Sequence, residues 1–293
     1  TSFSFDALQR IKPRPYNAEE MPVRVVDIDD PSLEKLGQWP WPRTLMADLI
    51  ERLTKAGAVV IAFDGMLAEP DRTSPSAVAE QIPSVAADPV LKERLSGLPD
   101  NDKILADTIK RSPMVLGFTP TNKETSRLPP RPSGTPALSG NDPRPVLEPW
   151  NGAITNLEVL DKAAIGLGSI TTEFGRDNTI RGVPLFFRIK DMLYPSLAAE
   201  TLRIAQPEMR NRSYIIKTAS GSGERDFGAG VDFVVVRIGQ IEALTDRVGN
   251  LLLYDSGPKP ERFIPAADVL SPDFDPQRVA DMVVFIGSTA AGL

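Results

Sequence analysis

Residues Val59-Val60-Ile61-Ala62-Phe63-Asp64 form an unbroken apolar run that ends in a carboxylate, and this run is the strongest indication of the fold class. Such a run is typical of a strand that is buried on both faces, because a strand with one face in water alternates apolar and polar residues. Sheets made of doubly buried strands are parallel and are covered by helices. Residues 59–63 are therefore predicted to form a central strand of an α/β fold.

Strand and helix patterns alternate around this run. Residues 23–29 and 114–118 have strand patterns, while residues 44–56 and 102–111 place apolar side chains at helical spacing. Right-handed crossovers would make the three strands parallel. Their carboxyl ends would then share one edge of the sheet and bring together four oxygen-bearing side chains, Asp27, Asp29, Asp64 and Thr119.

The second half of the chain is predicted to be mainly strands. A turn is expected at Asp177-Asn178, a helix over 195–205 and a glycine-rich loop over 220–230. The predicted strands are 165–170, 182–189, 233–238, 251–254 and 282–286. The predicted fold class is therefore α/β: a mixed sheet with a parallel strand-helix-strand core in the N-terminal half and antiparallel additions in the C-terminal half.

Composition excludes several chemistries. The chain has 293 residues, a formal net charge of −6, no Cys and no His. Cysteine nucleophiles, thiolate or imidazole metal sites and Ser-His-Asp triads are therefore excluded. The acidic balance argues against a nucleic-acid partner, which requires a basic surface. Neither a P-loop nor a complete dinucleotide-binding fingerprint is present, so no cofactor is predicted.

The predicted domain, residues 23–293, is preceded by a proline-containing lead and contains one proline-rich loop. Residues 1–22 are expected to be a lead, either a frayed terminus or a stalk from a membrane helix. Residues 120–149 contain eight prolines and are predicted to be a surface loop without secondary structure. No run approaches the about 20 apolar residues of a membrane span. Both ends look cut, so the chain is expected to be part of a longer protein.

The acidic edge is the first candidate site. Its carboxylates are Asp27, Asp29, Asp64 and Glu69, with Asp71 as a further candidate. Clustered carboxylates repel one another unless a cation, arginines or water compensate them. Mg²⁺ or Ca²⁺ would suit these hard oxygen ligands. Alternatively, the acids cap helices and pair with Arg43 and other arginines.

The segment Trp39-Pro40-Trp41-Pro42-Arg43 is the second candidate site. Each residue before a proline is kept out of the helical region, so the segment is expected to be rigid and extended. Trp39 and Trp41 could stack on an apolar or sugar-like ligand, or on a partner chain. Alternatively, the two indoles are a packing clamp over the edge of the sheet, and Arg43 pairs with an acid.

A catalytic interpretation depends on Asp27 and Asp29 alone. A strand that ends in Asp-x-Asp resembles the nucleophile motif of haloacid dehalogenase-type phosphatases, which use two aspartates and Mg²⁺. That family has Thr or Val two residues after the second aspartate, whereas this chain has Asp30-Pro31 directly after it, and no Gly-Asp-x-x-x-Asp motif follows downstream. A Mg²⁺-dependent phosphohydrolase is thus only a remote alternative.

The chain as a whole resembles the type-2 CHASE domain, a sensory domain associated with nucleotide cyclases and histidine kinases. The resemblance covers nearly all of the chain. The motifs that carry it are VVDIDDPSL (25–33), LGQWPWPR (36–43), AGA (56–58), FD (63–64), EPD (69–71), RGVPL (181–185), YPSLA (194–198), ADVL (267–270) and VVFIGSTAAG (283–292).

The resemblance implies an extracytoplasmic, periplasmic domain without catalysis of its own. It would lie between one N-terminal transmembrane helix and a C-terminal membrane block of a receptor in the cell membrane. The cytoplasmic output implied is a class III adenylate or guanylate cyclase, or alternatively a histidine kinase. The signal would be a small molecule, an ion or an envelope protein, and the intact receptor would be a homodimer. An assembly module that dimerises or docks a partner without a small ligand is the remaining alternative.

Overall fold

Most of the chain is described by the computed structural model, with interruptions near the N-terminus and in the second half. The described residues are 6, 7, 9, 11, 12, 17, 21–130, 132, 136–172, 179–209, 213–218, 233–254, 256, 257 and 259–291. The predicted turn at Asp177-Asn178, the predicted glycine-rich loop at 220–230 and much of the lead at 1–22 lie outside these residues.

Helices and strands alternate through the first part of the chain, and strands predominate later, as expected. The helices are α1 (Asp30–Leu36), α2 (Arg43–Lys55), α3 (Pro75–Gln81), α4 (Pro83–Ala86), α5 (Pro89–Ser96), α6 (Asn101–Lys110), α7 (Glu158–Ala163), α8 (Leu197–Ala205) and α9 (Ala266–Val269). The strands are β1 (Val23–Asp27), β2 (Val60–Phe63), β3 (Met114–Thr121), β4 (Ala137–Ser139), β5 (Pro149–Trp150), β6 (Gly152–Ile154), β7 (Gly166–Ser169), β8 (Gly182–Pro184), β9 (Phe186–Ile189), β10 (Met192–Pro195), β11 (Ile215–Thr218), β12 (Phe233–Ile238), β13 (Ile241–Leu244), β14 (Asn250–Leu252), β15 (Phe263–Pro265) and β16 (Val283–Gly287).

One compact unit, here called the parallel-sheet unit, consists of residues 24–117, 155–167 and 263–293. Its strands have the order β15-β1-β16-β2-β3. The pairs β1–β15, β16–β2 and β2–β3 are all parallel. All four residues of β2 are buried, as the apolar run predicts for a central strand. The predicted α/β fold class is confirmed.

The C-terminal strand β16 changes the expected sheet edge. It lies between β1 and β2, so Asp27 and Asp64 end strands that are not neighbours. Thr119 does not end a strand at all, because β3 continues to Thr121. The sequence pattern shows that a strand exists at 282–286 but contains nothing that places it inside the N-terminal sheet. The strands do end at one edge of the sheet, as expected, because β16, β2 and β3 are parallel and the Ile28 N–H after β1 donates to the Gly287 carbonyl at the end of β16. At that edge, however, β16 separates Asp27 from Asp64, and Thr119 lies within β3.

Helix α2 supplies a large part of the apolar core of this unit. Its Leu49, Ile50 and Leu53 are at most 1% exposed, as the four-residue spacing predicts. The helix ends before Gly57, whose φ of 88° lies in the left-handed region that favours glycine. Arg43 is the first residue of α2, one position earlier than the pattern predicts.

The second compact unit, here called the mixed-sheet unit, consists of residues 1–23, 118–154 and 168–262. Its strands form small sheets with the orders β10-β9-β5, β13-β12-β11-β4 and β14-β8. Most pairs are antiparallel, but β4 pairs with β11 and β5 pairs with β9 in parallel.

None of the helices in the described ranges combines the length and apolar character that crossing a bilayer requires.

The proline-rich stretch differs from the sequence-based expectation, and residues 75–96 form helices for which no prediction was made. The proline-rich stretch 120–149 contains the strand β4 and a 3-10 turn at Arg144–Val146, where no secondary structure was expected. Strand β4 is held by pairing with β11, a partner that local composition cannot indicate. Residues 75–96 form the three short helices α3, α4 and α5, each with proline at its start. Proline is tolerated there because the first turn of a helix has no acceptor for that N–H.

A buried ionic cluster lies in the core of the mixed-sheet unit. Arg203 is 0% exposed and its guanidinium donates to both carboxylate oxygens of Glu200, over 2.9 and 2.7 Å. The Tyr214 hydroxyl donates to the same carboxylate, and the Tyr214 ring stands edge-on to Phe186. Burial raises the pKa of Tyr214 well above 10.0, and the nearby Glu200 charge adds to this. The hydroxyl therefore stays protonated and remains a donor.

We expect Glu200→Ala to destabilise the domain by about 3–5 kcal/mol, because it leaves a buried guanidinium without its carboxylate. Tyr214→Phe should cost only about 1 kcal/mol, since it removes a single hydrogen bond. Urea unfolding followed by circular dichroism measures both. The control Glu242→Ala removes the exposed ion pair with Lys217 and should change stability little. A loss for Glu200→Ala no larger than that of the control would contradict a structural role for the cluster.

Candidate functional site

A cleft of about 350 Å³ opens in the parallel-sheet unit. One wall is the segment that precedes and starts α2, and the other is the loop that follows β2. The lining residues are Trp39, Pro40, Trp41, Arg43, Met66, Leu67, Ala68, Glu69, Pro70, Asp71 and Arg72. The tryptophan segment and part of the acidic loop, which are distant in sequence, thus meet at one cavity.

The two indoles of the cleft have different environments. Trp41 is 2% exposed and its indole N–H donates to the Gly37 carbonyl at 2.7 Å, so this ring belongs to the core. Trp39 is half-buried, with its ring 5.8 Å from Trp41 and 6.4 Å from Phe63 between centroids. The peptide bond between Trp39 and Pro40 is cis. Trp41 therefore acts as a packing clamp, while part of the Trp39 ring stays exposed.

Arg43 joins the two walls of the cleft. Its side chain is 7% exposed; Nε donates to Asp102 Oδ1 at 3.1 Å and Nη2 donates to the Glu69 carbonyl at 2.8 Å. An acidic partner for Arg43 was expected, but the structure selects Asp102 in the first turn of α6. Nothing in the local pattern around Asp102 distinguishes it from the exposed acids nearby, so the sequence could not single it out.

Asp71 caps helix α2 from a distant part of the chain. Residue Pro42 at the start of α2 has no side chain that could cap it, and Asp71 Oδ2 accepts the Arg43 backbone N–H at 2.8 Å instead. The carboxylate also accepts from Thr73 and Asn101. Desolvation acts to raise the pKa of Asp71, but these hydrogen bonds outweigh it and hold the pKa below 3.8. Asp71 is therefore an ionised anchor of the loop.

Asn156 anchors the same loop at its start. Its Oδ1 accepts the Leu67 backbone N–H at 2.8 Å, and its Nδ2 donates to the Gly117 carbonyl and to Asp161 Oδ1, both at 2.9 Å. Asn156 is 1% exposed. The loop 66–72 is thus held at both ends by buried hydrogen bonds. Sequence reasoning missed Asn156, because a lone asparagine in a loop has no distinguishing pattern.

Asp27 and Asp29 have structural roles at the end of β1. Both Asp27 oxygens are engaged by Thr289, through its N–H at 2.9 Å and its hydroxyl at 2.6 Å. Asp29 Oδ1 accepts the Ser32 N–H at 2.9 Å and caps α1. Within the described ranges, no three acidic side chains come close enough together to hold a metal ion. The alternative in which the acids cap helices and pair with arginines therefore describes Asp29, whereas Asp27 is held by a threonine.

Three charged side chains near the end of β2 are not used by the fold. Asp64, Glu69 and Arg72 are exposed, and their charged groups make no hydrogen bond or ion pair with any described residue. Nearby protein atoms displace part of the water around the Asp64 carboxyl, which raises its pKa above 3.8 although the side chain remains exposed. Glu69 and Arg72 line the cleft, whereas Asp64 does not.

A second cavity, in the mixed-sheet unit, is a weaker candidate. Its volume is about 200 Å³, and its lining includes Trp150, Phe187 and Arg188. Arg188 already donates to the carbonyls of Lys190 and Arg144, at 3.0 and 3.1 Å. Small-molecule sites usually have volumes of about 300–1,000 Å³. The larger cleft, with its unused charges, is therefore the better candidate site.

The comparison with protein families matches residues 2–293 to the CHASE2 domain. The chain belongs to the CHASE2 family. CHASE2 is an extracellular sensory domain of signalling receptors, and it is non-catalytic. No curated protein matches this CHASE2 domain. No solved structure matches it either.

In this CHASE2 domain, the signature segment that includes Trp39 and Arg43 and the motif at residues 69–71 form opposite walls of one cleft. The opening motif, which contains Asp27 and Asp29, instead closes the sheet against the C-terminal motif through Thr289. The predicted site residues are thus divided between two places. Trp39, Trp41, Arg43 and Glu69 meet at the cleft, while Asp27, Asp29 and Asp64 do not line it.

We expect Asp71→Asn to destabilise this CHASE2 domain at neutral pH by about 2 kcal/mol, because it weakens several charge-assisted hydrogen bonds. The folded-state pKa of Asp71 lies below 3.8, so the stabilisation is present above that pH and disappears as the pH falls through the folded-state pKa. The difference from the wild type in urea unfolding should therefore shrink between about pH 5 and pH 2. The control Asp273→Asn changes an exposed carboxylate. A difference that stays constant over this pH range would contradict the role given to Asp71.

Proposed function

We propose that this chain is the periplasmic sensory part of a transmembrane receptor, that the cleft between Trp39 and Arg72 recognises the signal, and that the receptor's cytoplasmic output is a class III nucleotide cyclase. Membership of the CHASE2 family supports the sensory role. The position of the recognition site rests on the geometry of the cleft.

The proposal depends on a difference between two groups of lining residues, those whose side chains hold the walls together and those whose side chains do not. The side chains of Arg43 and Asp71 are buried and make hydrogen bonds within the walls of the cleft, while the side chains of Trp39, Glu69 and Arg72 line it without a hydrogen bond to any described residue. Small-molecule sites are usually preformed cavities with a few polar side chains that are free to contact the ligand. In a preformed cavity the side chains lose little conformational entropy when the ligand binds.

The same frame supplies a route from the cleft to the helices. The Glu69 carbonyl is bonded to Arg43, the first residue of α2, and Arg43 is bonded to Asp102 in α6. Helices α2 and α6 pack against each other in the core of the parallel-sheet unit. A ligand that holds the loop 66–72 in one position would bias the positions of both helices. It can do so only if it binds one of two conformations more tightly than the other.

The cyclase output is supported by the architecture that the family resemblance implies, in which a membrane block and a cytoplasmic signalling enzyme follow the sensory domain. The coding sequence after Leu293 tests this part directly. Apolar spans followed by a cyclase catalytic core are expected. A histidine kinase core at that place would replace the cyclase, and a gene product without any apolar span on either side would contradict the receptor.

We expect Trp39→Ala and Arg72→Gln in the intact receptor to change signal-dependent cyclic nucleotide synthesis at least fivefold. Thermal stability should stay close to that of the wild type for Arg72→Gln and fall, without unfolding, for Trp39→Ala, because the Trp39 ring packs against Trp41 and Phe63. Both residues contribute to the cleft but make no hydrogen bond that the fold needs. The measurement is cyclic nucleotide production by membrane vesicles, with and without extract of the periplasm as the signal source. Arg43 is unsuitable for this test because its loss would disturb the frame itself.

Matched controls are Tyr254→Ala and Arg94→Gln, which change an exposed aromatic ring and an exposed guanidinium that do not line the cleft. They should leave the output unchanged. If the cleft variants respond like these controls, the cleft is not the recognition site. If the cleft variants simply unfold, their lining side chains are part of the frame, which also contradicts the proposal.

A further inference from the structure

We propose that the cleft takes a small zwitterion, an α-amino acid with an apolar or aromatic side chain. This inference rests on the proposed function, because it assigns a ligand class to the same cleft. Three properties of the cleft carry it: the balance of its charges, an unused donor on a buried arginine, and an apolar wall next to both.

The buried charged groups in the walls of the cleft are each compensated, and the two exposed charged side chains that line it have opposite signs. The Arg43 guanidinium is matched by Asp102, and the Asp71 carboxylate lies against the first N–H of α2, where the helix dipole is positive. This leaves Glu69 and Arg72, which are exposed, opposite in charge and unpaired among the described residues. A ligand that is only an anion would be repelled by Glu69, and one that is only a cation would be repelled by Arg72. A zwitterion can place its ammonium group near Glu69 and its carboxylate near Arg72.

Arg43 adds a donor at the wall of the cleft. Of its nitrogens, Nε and Nη2 donate to Asp102 and Glu69, while Nη1 has no acceptor within the described part of the chain. A guanidinium presents five N–H donors in a rigid fork, and Nη1 is not among the buried side-chain atoms of the described residues that lack a partner, so water reaches it. A carboxylate oxygen from a ligand could take the place of that water. Arg72 would supply the net positive charge that the neutralised Arg43 no longer offers.

The opposite end of such a ligand also has partners. Glu69 can accept from an ammonium group, and the half-buried Trp39 ring offers its face to a cation or to an apolar side chain. Met66 and Pro70 extend the apolar surface of the cleft. The volume of about 350 Å³ lies near the lower limit of small-molecule sites. This volume suits one amino acid and is too small for a peptide of several residues or an oligosaccharide.

The test is a binding experiment on the purified 293-residue chain. The twenty common amino acids are tested by thermal shift, and the best binder is measured by isothermal titration calorimetry. We expect an apolar or aromatic amino acid to bind. Its methyl ester, which keeps only the ammonium, and its N-acetyl derivative, which keeps only the carboxylate, should each bind at least tenfold more weakly. Arg72→Gln and Glu69→Gln should each weaken binding of the parent amino acid at least tenfold.

The controls are Arg94→Gln and Glu93→Gln on α5, a pair of exposed charges outside the cleft, which should bind as the wild type does. Equal binding of the ester would indicate an organic-cation site, and equal binding of the N-acetyl derivative an anion site. Either result would overturn the zwitterion, as would the absence of binding by all twenty amino acids.

The failure of this inference can be distinguished from failure of the proposed function. If no amino acid binds but Trp39→Ala alters the receptor's output, the recognition site stands and the ligand class is wrong. If an amino acid binds as described but the cleft variants leave the output unchanged, the ligand class stands and the cleft does not regulate the receptor.

Discussion

The position of Arg43 is the constraint on which the candidate site depends. Its backbone N–H is capped by Asp71, its Nε is bonded to Asp102 and its Nη2 to the Glu69 carbonyl. One residue thus starts a core helix, neutralises a buried carboxylate and holds a loop. A buried charge is tolerated only when such contacts compensate its desolvation, so the three contacts have to form together. The cleft is the space that remains between the walls that Arg43 connects.

A similar solution occurs in the mixed-sheet unit, where Arg203 is buried against Glu200 and Tyr214. In both units a buried arginine lies on a helix. Arg203 pairs with Glu200 of the same helix, whereas Arg43 on α2 pairs with Asp102 on α6. The physical consequences differ. Arg203 is fully enclosed in its core, and its cluster accounts for stability. Arg43 is buried beside a cavity and retains a donor without an acceptor among the described residues, which makes recognition of a ligand possible.

The position of β16 in the parallel sheet explains why the carboxylates of the acidic edge do not form one site. Strand β16 pairs with β2 and separates it from β1, and Thr289 then satisfies Asp27. Asp29 caps the helix that follows. Carboxylates that looked like a cation site along the chain are therefore distributed: Asp27 and Asp29 each have a partner of their own, while Asp64 and Glu69 remain exposed. The four-residue spacing of α2 and the apolar run of β2, in contrast, were sufficient to predict those elements, because their burial follows from their own periodicity.

Local patterns in the sequence were enough to predict the α/β class, the central strand at 60–63, the amphipathic helix that ends before Gly57, and membership of the CHASE2 family. These depend on periodicity, on residues with special backbone preferences and on ordered motifs, all of which are local properties of the chain. Only the tertiary structure decided that β16 enters the N-terminal sheet, that Asp71 caps a helix 28 residues before it, and that Asp102 and Asn156 hold the walls of the cleft. Those choices depend on which surfaces meet when apolar faces are buried, and a buried polar side chain finds its partner only after that packing has formed.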